Sequence, residues 1–488
     1  MVAPIKTDIA VVGAGIIGLA TAFRLAADGR EVVVIDPNEP GSGASYGNAG
    51  TFAPYACAPV GNPDVLRNLP SLFFNSESPL SIRPAALPAL APWLSRFVWQ
   101  SLPAAARRNG SALAGLLKEA MPAWRDIVCQ GQLADLLREE GCLYLYREKM
   151  PAKDVEWSAR LRTEMGVRQR RLTAAEVAEM EPALPPVAGG LFFPDAAHVN
   201  DPAALTRRMA AKVESLGASF QRTRVERLEP QSDGKIRLTC GDRFVEAHAV
   251  VLAAGAWSRS LALQVGDKIP LDTERGYHIE FEMDAPLIKR PVSPIDLGFY
   301  LTPMVGRLRV AGTVELGGLA APVNPARIAL LERGARKIFP DLGPMHGQWL
   351  GFRPSLPDSL PVIGRSRHCG NLIHAFGHGH LGMTLAGITS QAVAGLIERR
   401  NAAPELSAFG PSRFASHAST LQALQVLVQN AALERPLFAQ MEPLAIADAA
   451  QRRASSPPKS VSPAARPLSA PARISRGLLF PCYGEKSP

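Results

Sequence analysis

The sequence predicts an α/β protein built from two interleaved domains, and three observations support this prediction. The chain has 488 residues, which is more than one hydrophobic core organises, since cores stop growing near roughly 250–300 residues. Close to the N-terminus, two β-branched runs flank a glycine-rich turn and an apolar helix, the pattern of a βαβ unit. Between residues 267 and 350, alternation of apolar and polar residues predicts antiparallel strands.

Composition excludes several classes of protein. Hydrophobic residues make up 47% and charged residues 20% of the chain, which is typical of a globular protein. The net charge is +9, of which the stretch from Ala415 to Pro488 supplies +4, and we find neither a repeat nor a dense basic stripe. Nucleic-acid binding is therefore not predicted. Six cysteines without a C-x-x-C pair exclude a zinc ribbon and a disulfide scaffold, and they fit a reducing compartment.

The sequence also lacks the patterns of secretion and of membrane spanning. The stretch Met1–Thr7 is too short for the charged and apolar parts of a signal peptide, and glycines interrupt Ile9–Gly18. We find no run of about 18 apolar residues. We therefore expect a cytoplasmic protein without a transmembrane segment.

The segment from Asp8 to Pro37 carries the most informative pattern. Ile9–Val12 is β-branched and uncharged and is predicted to be a buried strand. Ile16–Ala27 is predicted to be a helix, and Gly29 is placed to end it. Val32–Ile35 is predicted to be a second buried strand. The order strand, turn, helix, strand predicts the first half of a dinucleotide-binding domain.

The turn of this unit has the G-x-G-x-x-G spacing, formed by Gly13, Gly15 and Gly18. Gly13 permits the tight turn, Gly15 lets a pyrophosphate approach the backbone, and Gly18 lets the helix pack near the sheet. The first helical residues, Ile16 and Ile17, offer unpaired N–H groups and the positive end of the helix dipole to phosphates. These features together predict a dinucleotide site.

An acidic residue, Asp36, follows the second strand, 18 residues after Gly18. A carboxylate at this point accepts hydrogen bonds from ribose hydroxyls and disfavours a 2′-phosphate. FAD and NAD are therefore both favoured over NADP, and the motif by itself leaves the choice between them open.

Four later segments carry a resemblance that bears on this choice. They read GSGASYGNAG from Gly41, AVVLAAGAWS from Ala249, GFRPSLPDSLPVIG from Gly351, and GHGHLGMTLAGITSQAVAGLI from Gly377. With these segments the chain resembles the D-amino acid oxidase superfamily of flavoproteins, and most of all the bacterial FAD-dependent D-amino-acid dehydrogenases, including the D-hydroxyproline type. The resemblance runs from about Ile5 to Phe414 and implies FAD, which we expect to be bound non-covalently.

The resemblance also implies which residues contact the cofactor. Ser45, Asn48, Ala49 and Gly50 would border the flavin ring, where small residues suit a flat ligand. Val225 would present its backbone to the adenine, and Gly255 would lie near the nucleotide. A second glycine loop opens a predicted helix, and its N-terminus would stabilise negative charge on the reduced flavin. The candidates on this loop and helix are Gly379, Gly382, Met383 and Thr384.

The substrate would be held chiefly by one arginine. Arg353 occupies the position that the resemblance assigns to a carboxylate clamp, since a planar guanidinium matches a carboxylate with two hydrogen bonds. A salt bridge to Asp358 is the structural alternative. Tyr277 and Tyr300 would donate to the carboxylate or cover the site, although either could be a core tyrosine. His378 is an acid–base candidate for which a packing or flavin-contact role is the alternative, and no metal site is predicted.

Domain boundaries follow from these assignments. We expect the FAD-binding Rossmann-like domain to comprise residues 1–57, 196–266 and 351–414, and the α+β substrate domain, with its antiparallel sheet, residues 58–195 and 267–350. Residues 415–488 would form a mostly disordered tail, because the Ser/Pro/Ala/Arg-rich stretch Gln451–Arg476 buries too little to offset the entropy of ordering.

The region Leu69–Leu102 combines aromatics and prolines with few charges. Its aromatic residues are Phe73, Phe74, Trp93, Phe97 and Trp99. The simpler interpretation is a helix-rich cap packed on the core. The alternative is a surface that meets a membrane or a quinone, since aromatics favour membrane interfaces.

The resemblance thus implies an enzyme that oxidises D-amino acids, of the D-proline or D-hydroxyproline type as one form, by hydride transfer from Cα to flavin N5 to give an imino acid. Electrons would pass to an acceptor other than NAD, such as a quinone or an electron-transfer protein. The enzyme would then be cytoplasmic, with peripheral contact to the inner face of the cell membrane as a further expectation. The alternatives are a sarcosine- or glycine-oxidase-like amine oxidase, a nicotinamide-linked dehydrogenase and a non-catalytic flavin-binding subunit.

Overall fold

A computed structural model describes residues 4–67, 77–148, 152–398 and 406–415. The predicted tail after Ala415 lies outside the described residues, as do Phe73 and Phe74. The helices are α1 Ile16–Ala27, α2 Leu87–Gln100, α3 Pro103–Lys118, α4 Ala120–Gly131, α5 Ala152–Glu164, α6 Ala174–Met180, α7 Pro202–Ser215, α8 Ser258–Gln264, α9 Pro325–Ile338 and α10 Gly382–Ile397.

One mixed sheet of eight strands contains the predicted βαβ unit. Its strands are β1 Ile5–Val12, β2 Val32–Ile35, β10 Ser219–Gln221, β11 Arg227–Pro230, β12 Ile236–Cys240, β13 Arg243–Leu252, β19 Val362–Arg365 and β20 Leu372–Phe376. The order is β10-β2-β1-β13-β12-β11, and β20 pairs with the second half of the long strand β13. The pairs of β1 with β2 and with β13 are parallel, as a dinucleotide-binding unit requires.

Both faces of this sheet are buried. In β1, Ile9 and Val11 face a core that includes α1, α4 and α10, whereas Ala10 and Val12 face a second core. This explains why the strand is a continuous apolar run rather than an alternating one. The predicted bounds of α1 and β2 are confirmed. The alternating character of Arg224–Leu228 predicts part of a strand, but β11 begins only at Arg227, because the residues before it line a cavity rather than a sheet edge.

A second sheet of nine strands is mostly antiparallel. Its strands are β4 Leu80–Ile82, β6 Cys142–Tyr146, β7 Arg170–Thr173, β8 Gly189–Phe193, β14 Asp272–Glu282, β15 Val292–Pro294, β16 Phe299–Met304, β17 Arg307–Leu316 and β18 Met345–Ser355. The order is β18-β14-β17-β16-β15-β6-β8-β7, with β4 beside β17. Three short strands, β3 Thr51–Phe52, β5 Leu137–Arg138 and β9 Ala197–Val199, form a third sheet. The α/β fold class with an antiparallel second sheet is confirmed.

The two faces of the second sheet differ in character. Apolar side chains of β14, β16 and β17, such as Ile279, Leu301 and Val310, pack against α9 in one core. On the other face, polar and small residues of the same strands line a cavity shared with the first sheet. This face positions the functional site.

The aromatic segment belongs to a helical cap. In α2, Trp93 and Phe97 stack on each other with ring centroids 5.3 Å apart, and both are buried with Leu316 in a small core. These two rings therefore face inward, unlike the membrane-facing arrangement that the sequence offered as an alternative.

One helical stretch among the described residues, Gly379–Ile397, has the length and composition of a membrane span. It is 72% buried inside the protein, and α10 packs against α1 and α4. Burial of this extent is the behaviour of a core helix.

Candidate active site

A cavity of about 760 Å³ runs from the glycine turn of the first sheet to the polar face of the second. All but two of the predicted site residues line it. They are Gly13, Gly15, Ile16, Ile17, Asp36, Ser45, Asn48, Ala49, Gly50, Val225, Gly255, Tyr277, Tyr300, Arg353, His378, Gly379, Gly382 and Met383. Residues distant in sequence are thus brought to one continuous site.

The two exceptions, Gly18 and Thr384, lie directly behind the cavity wall. A Cβ on Gly18 would lie 1.9 Å from the carbonyl oxygen of Gly13, so only glycine allows α1 to approach the turn this closely. The Thr384 hydroxyl accepts a hydrogen bond of 3.0 Å from the Ala53 N–H. Both residues therefore shape the wall without facing the ligand space.

The turn end of the cavity has the geometry of a nucleotide site. Gly13 has φ +109°, and a Cβ there would lie 2.4 Å from the carbonyl oxygen of Ala253. The Ser45 hydroxyl accepts from the Ile16 N–H at 2.9 Å and so caps α1, whose own N-cap residue is a glycine. Asp36 accepts from the Ala14 N–H at 2.8 Å. The Ile16 N–H, predicted from the sequence to be unpaired, is therefore satisfied by the Ser45 hydroxyl.

The loop 45–50 is held against the second sheet by a buried arginine. The Nη1 atom of Arg309 donates to the carbonyl oxygens of Tyr46 (3.0 Å) and Asn48 (2.8 Å). The Nε atom of the same side chain donates to Glu280 at 2.8 Å, and Arg309 has no solvent exposure. The loop predicted to border the flavin ring is therefore fixed by charge-assisted hydrogen bonds.

Two further contacts join this loop to the same sheet. The Thr302 hydroxyl donates to the carbonyl oxygen of Ala49 at 2.9 Å. The Nδ1 atom of His278 lies 2.9 Å from the carbonyl oxygen of Gly47. The position of the loop thus depends on the strands of the second sheet as well as on hydrogen bonds within the loop.

We expect Arg309→Gln to weaken FAD binding about tenfold, or about 1.4 kcal/mol, because the loop would lose two charged hydrogen bonds while Thr302 and His278 still hold it in part. Titration of the apoprotein with FAD measures the effect. Arg307→Gln is the matched control, since Arg307 also pairs with Glu280 but makes no contact with the loop. Equal weakening in both variants would contradict the role of Arg309.

Arg353 lies flat across the backbone of the second sheet. A Cβ on Gly276, in the neighbouring strand β14, would lie 2.3 Å from the Arg353 Cζ atom. Beyond Gly276, Nη1 donates to the carbonyl oxygen of Thr313 at 2.8 Å, and Nη2 reaches that of Gly312 at 3.5 Å. Gly276 thus lets the guanidinium cross one strand and reach the next.

The carbonyl that Arg353 contacts belongs to a strained residue. Thr313 is β-branched yet has φ +56°, and such a conformation costs roughly 1–3 kcal/mol. The register between β14 and β17 shifts beside it, between Arg275 and Tyr277. The strain turns a backbone acceptor toward the guanidinium at the centre of the site.

Arg353 has no carboxylate within ion-pair distance among the residues that the structure describes. Asp358, the alternative partner from sequence, instead accepts from Arg413 at 2.8 Å. Desolvation lowers the pKa of Arg353, and the nearby charge of Glu274 partly offsets this. A desolvated guanidinium that is partly exposed to a cavity is suited to an anionic ligand.

The two predicted pocket tyrosines differ in what their hydroxyls contact. The Tyr277 hydroxyl donates to Glu315 at 2.7 Å, within a network that also includes Arg275. It is therefore committed to this network rather than presented to a substrate. The Tyr300 hydroxyl lies 2.9 Å from that of Tyr144.

Tyr300 belongs to a chain of buried hydroxyls. Its oxygen lies 3.2 Å from the Tyr55 hydroxyl, which donates to the Cys142 sulfur at 3.3 Å. Burial raises the pKa of Tyr300 well above its ordinary value, so the phenol stays neutral. Together with Tyr144 it forms an uncharged, hydrogen-bonding wall of the cavity.

His378 is buried, and its Nε2 atom lies 3.0 Å from the Thr389 hydroxyl. Desolvation lowers its pKa to about 3, so the ring is neutral at physiological pH. This arrangement favours a packing or flavin-contact role for His378 over acid–base chemistry.

The residues present fit FAD. The cavity volume is within the range of about 300–1,000 Å³ typical of ligand sites, and the glycine turn at Gly13 and Gly15 lines it with backbone that carries no side chain. Asp36 and the N-terminus of α1 suit a ribose and a pyrophosphate. Loop 45–50 and the start of α10 would hold the flavin end.

These features define a dinucleotide-binding oxidoreductase with an arginine placed for an anionic substrate. Known proteins agree with this class, since residues 8–396 match the family described as FAD dependent oxidoreductase. A D-amino-acid oxidase of Bradyrhizobium diazoefficiens is 32% identical over 423 residues, covering 84% of this chain and all of the relative. The chain belongs to this family of FAD-dependent oxidoreductases, and its cofactor is FAD. Non-covalent attachment stays a prediction.

Other relatives agree. A D-amino acid dehydrogenase of Paramagnetospirillum magneticum is 31% identical over 422 residues, covering 84% of this chain and 99% of the relative. The crystal structure of glycine oxidase from Geobacillus kaustophilus matches with a TM-score of 0.65 at 26% identity, over 84% of this chain and 99% of that one. The structure of L-proline dehydrogenase from P. horikoshii, at 21% identity and a TM-score of 0.65 over 85% and 99%, shows the same fold.

Proposed function

We propose that this enzyme oxidises the Cα–N bond of D-amino acids to an imino acid, with D-proline or D-hydroxyproline among its substrates. Arg353 supports this proposal more than any other single observation. Its guanidinium is desolvated, lacks an acidic partner among the described residues, and faces the cavity. The names of the relatives from Bradyrhizobium diazoefficiens and Paramagnetospirillum magneticum support the D configuration.

The residues of the chain would bind and orient the substrate. Arg353 would hold the carboxylate with two hydrogen bonds, while Tyr300 and Tyr144 would face the side chain from β16 and β6 of the same sheet. The chemistry that FAD supplies when bound is acceptance of a hydride from Cα at its N5 atom. The imino product would then hydrolyse in water.

We also propose that electrons leave to an acceptor other than NAD, such as a quinone or an electron-transfer protein. Cytoplasmic location with peripheral contact to the inner face of the cell membrane belongs to the same proposal. The rings of Trp93 and Phe97 in α2 face inward, so they do not support contact with a membrane.

A glycine- or sarcosine-oxidase-like activity is the second candidate. The match to glycine oxidase favours it, as does the backbone floor of the site at Gly276 and Gly312, which suits a small substrate.

An anaerobic substrate panel tests the proposal. We expect D-alanine, D-proline and D-hydroxyproline to bleach the flavin absorbance of the holoenzyme, whereas the L-enantiomers do not. Bleaching by glycine and sarcosine alone would favour the second candidate. A yellow protein that stays oxidised with the whole panel would contradict the proposal and favour a non-catalytic flavin-binding subunit.

A further inference from the structure

We propose that Glu274 accepts the proton that the substrate ammonium must lose before the Cα–H bond is oxidised. The inference rests on the proposed function and adds a residue with a specific role to the same site. An α-amino acid binds at neutral pH with a protonated amine, and a hydride leaves Cα readily only when the nitrogen lone pair is free. The site therefore needs a proton acceptor beside the carboxylate clamp.

The register of the second sheet places Glu274 beside Arg353. The two residues are directly paired on the antiparallel strands β14 and β18, so their side chains leave the same face of the sheet. The guanidinium slants from there over Gly276, two residues farther along β14 and on the same face. A substrate whose carboxylate is held by Arg353 would lie over Gly276. Its ammonium group would then be within reach of the Glu274 side chain.

Glu274 faces the cavity although it is almost fully buried. It lines the main cavity together with Arg353, and its exposed fraction is 6%. Among the described residues, no cation lies within ion-pair distance of its carboxyl group. A buried carboxyl without a bound cation is costly, and a substrate ammonium would supply the missing charge.

The ionisable groups around Glu274 are few. Arg353 approaches from β18, and His378 and His380 approach from the loop before α10. The neighbouring Arg275 is bound to Glu315, and its side chain lies on the opposite face of β14 by strand alternation. Neither histidine competes for the proton, since desolvation lowers the pKa of His378 to about 3 and of His380 to about 4.

The electrostatic setting suits a proton acceptor. Burial raises the pKa of Glu274, while Arg353 and the hydroxyl of Ser355 lower it in part. A base works best when its pKa approaches the working pH, and burial moves a glutamate in that direction from its ordinary value.

A small pocket offers the proton a way onward. It adjoins the main cavity, has a volume of about 10 Å³, and is lined by Glu274, Ser355, Ser359, His378 and His380. This volume is at the lower limit of the space that one water molecule needs, about 10–15 Å³. A water there would link the carboxyl group to the polar loop before α10.

In the proposed step, a proton moves from the substrate ammonium to the Glu274 carboxylate. The N–H bond of the ammonium breaks and an O–H bond forms on the Glu274 carboxylate, while the electron pair stays on nitrogen. The neutral amine is then ready for the two-electron oxidation at Cα, for which the family cofactor is the oxidant. Protonated Glu274 returns its proton to water before the next turnover.

The decisive variant is Glu274→Gln, which keeps the size of the side chain and removes its basicity. We expect the limiting rate of anaerobic flavin reduction at pH 7 to fall about 100-fold, the lower end of the usual contribution of a general base. The rate should recover toward that of the unmodified enzyme near pH 10, where the free amine is present in solution. Glu274→Asp should retain an intermediate rate, and Glu282→Gln, an exposed carboxyl at the end of β14, should have no effect.

A binding measurement separates this role from a merely structural one. Propionate has the carboxylate but no amine, so its affinity should not fall in Glu274→Gln and should rise modestly at pH 7, because a repulsive charge is removed. Propionate adds negative charge beside an ionised Glu274, so calorimetry at pH 7 should show proton uptake in the unmodified enzyme and less in the variant.

The outcomes distinguish this inference from the proposed function. If the unmodified enzyme bleaches with amino acids but Glu274→Gln matches it at pH 7, the proton-acceptor role is wrong and the function stands. A large loss of propionate affinity with an unchanged pH profile would make Glu274 only a support for Arg353. If no amine bleaches the unmodified enzyme, the proposed function itself fails.

Discussion

Replacing Arg353 with alanine is expected to lower kcat/KM about 100- to 4,000-fold while the protein stays yellow. Removal of one partner from a buried ion pair costs about 3–5 kcal/mol, and each 1.4 kcal/mol corresponds to a tenfold change. Among the described residues, the hydrogen-bond partners of the guanidinium are the backbone oxygens of Thr313 and Gly312, so its loss should not disturb the flavin region. Steady-state kinetics and the flavin absorbance of the purified protein measure the two effects.

Two control variants sharpen this test. Arg353→Lys keeps the charge but loses the planar fork, so we expect an intermediate loss that appears mainly in KM. Arg333→Ala removes an exposed arginine that pairs with Glu77 and should leave kinetics unchanged. If Arg353→Ala kept its kcat/KM within threefold, Arg353 would not be the carboxylate clamp.

Replacing Gly13 with alanine is expected to weaken FAD binding at least 100-fold. The new Cβ would lie 2.4 Å from the carbonyl oxygen of Ala253, and φ +109° is unfavourable for any residue with a side chain. The turn must therefore move, and the start of α1 moves with it. The flavin-to-protein ratio after purification and titration with FAD measure the loss.

The matched control is Gly29→Ala. Gly29 also has positive φ (+77°), but a Cβ there would meet nothing within 4 Å. It should cost about 1 kcal/mol of stability, as glycine-to-alanine changes at positive φ do, without changing flavin affinity. Circular dichroism shows whether each variant is folded. A folded Gly13→Ala that binds FAD as tightly as Gly29→Ala would contradict the prediction.

The nucleotide half of the fold was predictable because its signals are local. Gly13 and Gly18 mark backbone positions that exclude a Cβ, and burial of both faces makes β1 and β2 uninterrupted apolar runs. The strand predicted from Arg224 was less accurate, because the residues before β11 turn toward the cavity and alternation alone does not mark where pairing starts.

The substrate half was predictable only in outline. The hydroxyl of Tyr277 binds Glu315 beside a shift in register between β14 and β17, and such a shift breaks the two-residue periodicity on which the sequence argument depends.

Several site residues were missed. Tyr55, Tyr144 and Glu274 come from distant segments that meet only after folding. A weak signal existed for Glu274, since Glu274 and Arg275 are adjacent charges in a segment predicted to form antiparallel strands, and charges that a strand buries need partners or a function. Arg309 carried a similar signal, as a charge between the core residues Leu308 and Val310.

The way in which Arg353 is anchored separates recognition of the substrate carboxylate from recognition of the substrate side chain. Among the described residues, its hydrogen-bond partners are main-chain carbonyls and its support is the bare backbone of Gly276, so the position of the guanidinium depends mainly on backbone. The wall formed by Tyr300 and Tyr144 comes from other strands of the sheet. Substitutions in that wall can therefore change which side chains are accepted while recognition of the α-carboxylate persists, which makes this cavity a favourable starting point for directed evolution toward new amino acids.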